Sequence, residues 1–355
     1  MRKIGPHGIL RSDAAERWAQ HANIVKSASG HGEKQAIVAA PVGAITIYRH
    51  IFSETEQTEI MNRCDARTLC DFILSDLGGF ACLYVELLNE IPGVLAERYI
   101  ELASKAVPIL HAAGLRVAGP SWATGDYEKE HWEAWRAAGW CGMDAIALHA
   151  YFSTAGFTSW NALRWKSYWQ QGDPLVLITE CGRDRVKDGD SRRDEGWLPQ
   201  RDGDAFGWSA PSQNCSAEEF ITEVELYDVA LSVDPAVLGA VLFTVGATSD
   251  WREKGFDCDG LVDRLIEGWE PVDLVGTVLA PTTSWRADPI TTSVTWPTPA
   301  TTAVWSPDPL PDDRRGDPVT EALNFLWDQT LHKPEAEAVE MQKHIIALKR
   351  GLGLE

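Results

Sequence analysis

The sequence predicts an α/β fold closed as a (β/α)8, or TIM, barrel, on the strength of three observations. Eight short apolar runs recur over roughly the first 270 residues, a usual length for such a barrel. Several of them, "AITIYRHI", "DAIALHAY" and "PLVLITE" above all, are continuous in apolar residues, as strands buried on both faces are. Stretches with helical spacing separate them, and strictly alternating strands and helices make a parallel sheet.

The runs cover residues 4–9, 23–27, 44–51, 81–88, 115–119, 145–150, 175–179 and 238–245. The clearest helix spans 97–113, where Ile100, Ala103, Val107 and Leu110 recur at three and four before Gly114. Ser216 ahead of Ala217-Glu218-Glu219 reads as an N-cap with acids in the first turn, opening a helix to about residue 232. Residues 128–138 and 159–171 read as two more helices. Of the tryptophans there, Trp132, Trp135, Trp165 and Trp169 are assigned to the core. A doubly wound open sheet is the competing architecture, but "GPHGIL" after the first strand is no glycine-rich nucleotide turn.

Two segments depart from the alternation. Residues 182–214 form a long polar stretch after the seventh strand, where a barrel places its active face, and loops of this length are commonly functional. From Pro281 to Pro311 the chain is rich in Thr, Pro and Ser, with Trp285, Trp296 and Trp305 at intervals, and reads as an extended linker or strap. The expected organisation is therefore a barrel over 1–278, a linker or strap over 279–316 and a helical region over 317–355. In the last, Asp317-Pro318 opens a helix and Lys333-Pro334 breaks it. Beyond the break, Ala338, Met341, Ile345 and Leu348 form a stripe that packs on the barrel or joins helices of an oligomer.

Composition narrows the function. A net charge of −20 repels the phosphates of nucleic acid and an anionic lipid surface alike, so a neutral polymer or small substrate is expected. No run is long and apolar enough to span a membrane, and no apolar stretch follows Arg2 and Lys3 as a secretory signal requires. The compartment stays open between cytoplasmic and exported without a cleaved signal. Seven cysteines, an odd count without a CxxC pair, are expected to be reduced thiols, mostly buried, rather than a disulfide framework or zinc site.

Barrel active sites lie at the C-terminal ends of the strands. The fourth run ends "YVELLNEIP" and delivers Asn89 and Glu90; the sixth ends "ALHAYF" with His149 and Tyr151; the seventh ends "LVLITECG" with Glu180. Arg49 closes the third and His7 the first. Two carboxyl groups on strands four and seven meet the need of glycosidic-bond cleavage, one to protonate the leaving oxygen and one to attack the anomeric carbon or activate water. Each motif has a plainer reading: Glu90 as a helix cap, Glu180 paired with Arg183 or Arg185, and His149 and Tyr151 as satisfied core residues. Tryptophan is abundant, 16 residues, and Trp122, Trp197, Trp208 and Trp251 fall where a sugar groove would run.

In these residues the sequence resembles the clan A glycoside hydrolases, a superfamily of retaining (β/α)8 enzymes. The resemblance rests on Asn89-Glu90, His149-Ala150-Tyr151 and Thr179-Glu180, and covers about residues 1–275 by architecture. It implies that Glu90 is the acid/base, Glu180 the nucleophile and Tyr151 its hydrogen-bond donor, with Asn89 on a sugar hydroxyl. His149, Arg49, His7, Trp122 and Trp251 would complete the substrate site. It implies a carbohydrate substrate, β-linked by superfamily tendency, and neither cofactor nor metal. The chain departs from the pattern at strand two, where the superfamily more often carries arginine and this sequence has Lys26, and after strand eight, where Trp251 comes several residues late.

Other chemistries lack their residues. There is no G-x-S-x-G elbow, H-E-x-x-H helix or phosphate loop. A metal-dependent barrel hydrolase needs more strand-end ligands than His7 and His149. Two alternatives stay open: a lysin-type enzyme acting on bacterial cell-wall peptidoglycan, suggested by the Pro/Thr linker and terminal helices, and a sugar-binding barrel without catalysis.

Overall fold

The computed structural model describes residues 2–28, 34–78, 81–152, 157, 161–184, 207–209 and 215–267. Eight parallel strands close in chain order: β1 Ile4–Gly8, β2 Ile24–Ala28, β3 Ile45–Arg49, β4 Tyr84–Glu86, β5 Arg116–Trp122, β6 Ala145–Phe152, β7 Val176–Arg183 and β8 Val237–Val245. β8 returns to β1, with Ile4 opposite Ala240, so no strand is an edge. The expected (β/α)8 barrel is the fold. The linker and the terminal helices expected after residue 278 lie outside the described residues, as does most of the long segment after β7.

The helices are α1 Asp13–Ala19, α2 Gln35–Ala39, α3 Glu54–Arg63, α4 Ala66–Leu77, α5 Ala96–Ala112, α6 Lys129–Ala137, α7 Ala217–Ser232, α8 Ser249–Glu253 and α9 Val262–Leu265. α5 ends where Gly114 takes φ +82°, a left-handed conformation that glycine adopts without strain. α7 opens on the expected cap: the Ser216 hydroxyl accepts from Glu219 N–H while the Glu219 carboxylate accepts from Ser216 N–H.

One expected helix is absent. Residues 159–171 hold only a 3-10 turn at Arg164–Ser167 among their described part. Side chains hold this backbone in place of a helical ladder. Arg136 of α6 donates to the Tyr168 carbonyl at 3.0 Å and forks onto Asp173, and the Trp169 indole donates to the Pro174 carbonyl. Trp165 is nonetheless buried, as are Trp132 and Trp135. The seven cysteines are all free thiols, but only Cys70, Cys181 and Cys258 are buried; the other four are half-buried.

Inside the barrel, alternation along each strand sets two layers. Ile24, Ile47, Tyr84, Ala147 and Val241 belong to one apolar cluster drawn from β2, β3, β4, β6 and β8. Side chains two residues apart share a face. Two positions further along stand Lys26, Arg49, Glu86 and His149, so a layer of ionisable groups rests on the apolar floor toward the strands' C-terminal ends.

Candidate active site

Strand register brings these groups abreast. His7 of β1 pairs with Lys26 of β2, Arg49 of β3 with Glu86 of β4, and His149 of β6 with Glu180 of β7. The register of β6 on β7 shifts by a residue between Leu148 and His149, which turns Glu180, rather than Thr179, to the partner position of His149.

Glu180 is buried and surrounded by donors. Its Oε1 accepts from Arg49 at 2.7 Å and Lys26 Nζ at 3.3 Å, and its Oε2 accepts from the Tyr151 hydroxyl at 2.8 Å. Nδ1 of His149 lies 3.5 Å from the same Oε2. Burial alone would push this carboxyl up, but the charges of His149, Lys26 and Arg49 outweigh it and hold Glu180 well below the usual carboxylate range. Tyr151 keeps its proton: burial, then the neighbouring Glu180 charge, moves the phenol well above its ordinary value.

Glu90 sits just beyond β4 with φ +47°, its N–H donating to the Ser121 carbonyl at 3.1 Å. Its side chain is 38% exposed, against 7% for Glu180. Nδ1 of His149 lies 2.6 Å from Glu90 Oε1. Since one nitrogen reaches a carboxylate oxygen of each glutamate, at 2.6 and 3.5 Å, those two oxygens are at most about 6 Å apart. Asn89 is anchored by Gln57 of α3, whose side chain accepts from its N–H at 2.7 Å, and its Oδ1 accepts from Arg49. One guanidinium group thus ties the Asn-Glu turn to Glu180.

Beneath the pair lies Glu86, wholly buried. Lys26 Nζ is 2.7 Å from its Oε2, the Thr179 hydroxyl donates to its Oε1 at 2.7 Å, and His149 Nε2 stands 3.6 Å from that Oε1. Burial opposes charge on Glu86, yet Lys26, then His149 and Arg49, keep it well below the usual range. Lys26 itself is lowered by burial and by Arg49, against the pull of Glu86 and Glu180. Burial likewise works against charge on His149, but Glu180 and Glu90, with Glu86, raise it to about 9. At neutral pH the ring is therefore a cation, and both its nitrogens carry protons.

His7 is buried beside this layer, with Nδ1 4.0 Å from Glu180 Oε1 and neither ring nitrogen hydrogen-bonded. Burial, then the Lys26 charge, lowers it well below the ordinary histidine value, so it is neutral. Trp251 packs edge-on to Phe243 and Phe256, in the cluster that contains Tyr151. Trp122 differs from the expectation. It is 2% exposed and stacked on Tyr127 at 3.9 Å, an aromatic core position that leaves no open face for a sugar ring. It borders, with Thr124, Arg164 and Trp165, a small cleft beside His149. Trp208 is occupied too, stacked on Phe220 and bonded to the Asp257 carbonyl, while Trp197 lies outside the described residues. Among the described residues no three His, Cys, Asp or Glu side chains converge as a metal ion would require, and no helix is long and apolar enough to cross a membrane.

The structure thus brings Arg49, Asn89, Glu90, His149, Tyr151 and Glu180 into one site, with His7 at its edge. It adds Glu86, which motif reading passes over. The signal for it is the two-residue alternation in "YVELLNE": Tyr84 points into the floor, so Glu86 points into the layer above.

No protein-family model and no curated protein matches the sequence. Solved structures similar to the chain include a GH113 beta-1,4-mannanase, 12% identical over 76% of this chain and 100% of that one, with a TM-score of 0.43. The spore cortex-lytic enzyme SleL of Bacillus megaterium QM B1551 is 12% identical over 74% of each chain, TM-score 0.44. The endo-beta-1,4-glucanase Xac0029 of Xanthomonas axonopodis pv. citri is 11% identical over 75% of this chain and 98% of that one, TM-score 0.44. At these identities the likeness is one of fold.

Proposed function

We propose that the protein is a retaining O-glycoside hydrolase that cleaves a β-linked glycan by double displacement, with Glu180 as nucleophile and Glu90 as acid/base. The observation that carries this reading is the placement of two carboxylates within reach of one imidazole nitrogen, in opposite surroundings. Glu180 is buried among Arg49, Lys26 and Tyr151, which keep it ionised; Glu90 stands more open at the mouth. A separation of at most about 6 Å suits direct attack better than an intervening water, for which about 6.5–9.5 Å is needed.

In the first half-reaction Glu180 Oε attacks the anomeric carbon while Glu90 gives its proton to the departing glycosidic oxygen. In the second, Glu90 takes a proton from water as that water displaces Glu180. Arg49 and Tyr151 hold the nucleophile's oxygens in place, and Asn89, tethered by Arg49, offers its amide to a sugar hydroxyl beside the scissile bond. Trp251, beside Tyr151, is the stacking surface for the sugar. The reaction as written draws only on side chains.

The test is a glycan panel that includes peptidoglycan, run beside Glu90→Gln and Glu180→Gln. Glu180→Gln is expected to lose at least about a thousandfold in kcat, roughly 4 kcal/mol of transition-state stabilisation. A fluorinated glycoside should label Glu180, read by mass spectrometry of its peptide. Undiminished turnover by Glu180→Gln, or an inverted product from unlabelled protein, refutes the assignment. Cleavage of peptidoglycan alone selects the lysin-type enzyme, and binding without cleavage the lectin-like barrel.

A further inference from the structure

We propose that Glu86 is a positioning residue for the reaction: from the buried layer beneath the pair it fixes the His149 ring so that one imidazolium N–H faces both catalytic carboxylates. The inference rests on the hydrolase reading above and extends it to a residue that touches no substrate.

Three features of the geometry carry it. Glu86 has no exposed surface, and its oxygens are fixed by Lys26 Nζ at 2.7 Å and the Thr179 hydroxyl at 2.7 Å. The same Oε1 that accepts from Thr179 lies 3.6 Å from His149 Nε2, on the ring edge opposite the one that faces the catalytic pair. Nδ1 then stands between Glu90 Oε1, at 2.6 Å, and Glu180 Oε2, at 3.5 Å. A buried imidazolium without a negative charge on its Nε2 side would be free to rotate or to lose that proton; Nε2 makes no hydrogen bond, and Glu86 faces it as an ion-pair partner at 3.6 Å.

The reaction gives this arrangement a use. Before attack the negative charge resides on Glu180. When the glycosyl–oxygen bond forms and Glu90 releases its proton to the leaving oxygen, Glu180 becomes an ester and Glu90 the carboxylate. Hydrolysis reverses the exchange. The charge therefore crosses a gap of at most about 6 Å twice per turnover, and a single cation that faces both ends stabilises it at each. The proton of His149 stays on Nδ1; only its acceptor changes. The other groups around the ring are Lys26 of β2, lowered by burial and by Arg49, Arg49 of β3, which stays a cation, His7 of β1, which is neutral, and Tyr151 of β6, which keeps its proton. Of the three acids facing His149, only Glu86 takes no part in bond making.

The test reads His149 directly, by 15N-resolved imidazole NMR of the whole protein without substrate, assigned against His149→Gln. Wild type should titrate near 9. In Glu86→Gln the midpoint should fall by about one pH unit or more, with Nε2 losing its proton first. On a glycan that the wild type cleaves, kcat should fall about ten- to a hundredfold with KM within about twofold, and the alkaline limb of kcat/KM should move down with the NMR midpoint. Should Glu86→Gln fail to fold with Lys26 short of its nearest carboxylate, Glu86→Asp keeps the charge one methylene further from Nε2, and its midpoint should fall by a smaller amount. An unshifted His149 midpoint in either folded variant overturns the inference whatever the activity. A wild type that cleaves nothing overturns the hydrolase reading, and the NMR midpoints still decide the role of Glu86.

Discussion

Glu90 occupies a backbone position that costs energy. With φ +47° it lies in the left-handed region, which disfavours a side chain by about 1–2 kcal/mol, and the Ser121 carbonyl fixes it there by accepting its N–H. The compensation is direction: the turn lifts the carboxylate out of the buried layer that holds Glu86, four residues earlier, and brings it over His149. Glu90→Gly should therefore be more stable than Glu90→Ala by about 1 kcal/mol in urea unfolding, although both lack the carboxylate. Equal stabilities would mean the backbone there is relaxed. His149 makes a second prediction at this scale. Its folded value near 9 lies above about 6.5 in the unfolded chain, so its contribution to stability is complete below about pH 6.5 and is lost as pH rises through 9. Glu180 and Glu86 are depressed, so their contributions are present above about 4.5 and lost as pH falls. Thermal midpoints should decline between about pH 6.5 and 9 in wild type and decline less in His149→Gln; parallel curves would remove His149 from the account.

Among elements, the pair of β2 and β4 matters most, because Lys26 and Glu86 join them across the barrel interior. Lys26 Nζ donates to Glu180 and to the Thr179 carbonyl, and forms an ion pair with Glu86 at 2.7 Å. Replacing it by methionine leaves the wholly buried Glu86 without its nearest cation, and Lys26→Met should cost about 3–5 kcal/mol, whereas Lys26→Met with Glu86→Leu should recover part of that loss. Urea unfolding of the two variants decides it: a double variant no more stable than the single would deny that the pair acts as a unit. Lys26 stands on the strand where the resemblance gives an arginine, and Arg49 on the next strand. The barrel itself was legible because strands buried on both faces write themselves as apolar runs, and the ends of those runs located Glu90, His149, Tyr151 and Glu180. Glu86 was not, since an acid within an apolar strand reads as a break until the face of each position is known. In place of the helix expected over 159–171 the described part has a 3-10 turn, and Arg136, on a different element, donates to the Tyr168 carbonyl, a bond that no local pattern encodes. For Trp122, strand-end position says where the residue lies and not that Tyr127 covers it.

At the scale of the whole molecule, the charge of the site and that of the chain differ. The chain carries 52 acidic against 32 basic residues, a net −20, yet the buried layer sets Lys26, Arg49 and the His149 cation against Glu86, Glu90 and Glu180. A substrate thus approaches through a negative field to reach a site with equal numbers of cations and acids. For a neutral glycan that field neither steers nor repels, and kcat/KM should change by less than about twofold between ~0.05 and ~0.5 M salt. A polyuronate would feel the repulsion at a distance, and its kcat/KM should rise severalfold over the same range as the Debye length shortens from about 14 to about 4 Å. Initial rates on a neutral and a carboxylated glycan of one backbone, measured across that series, separate the cases. A steep fall with salt on the neutral polymer would contradict this account, because it would require attraction that an acidic surface around a balanced site does not supply. A flat response on both would equally contradict it, because kcat/KM is measured from free enzyme and free substrate and so includes the approach whichever step limits turnover.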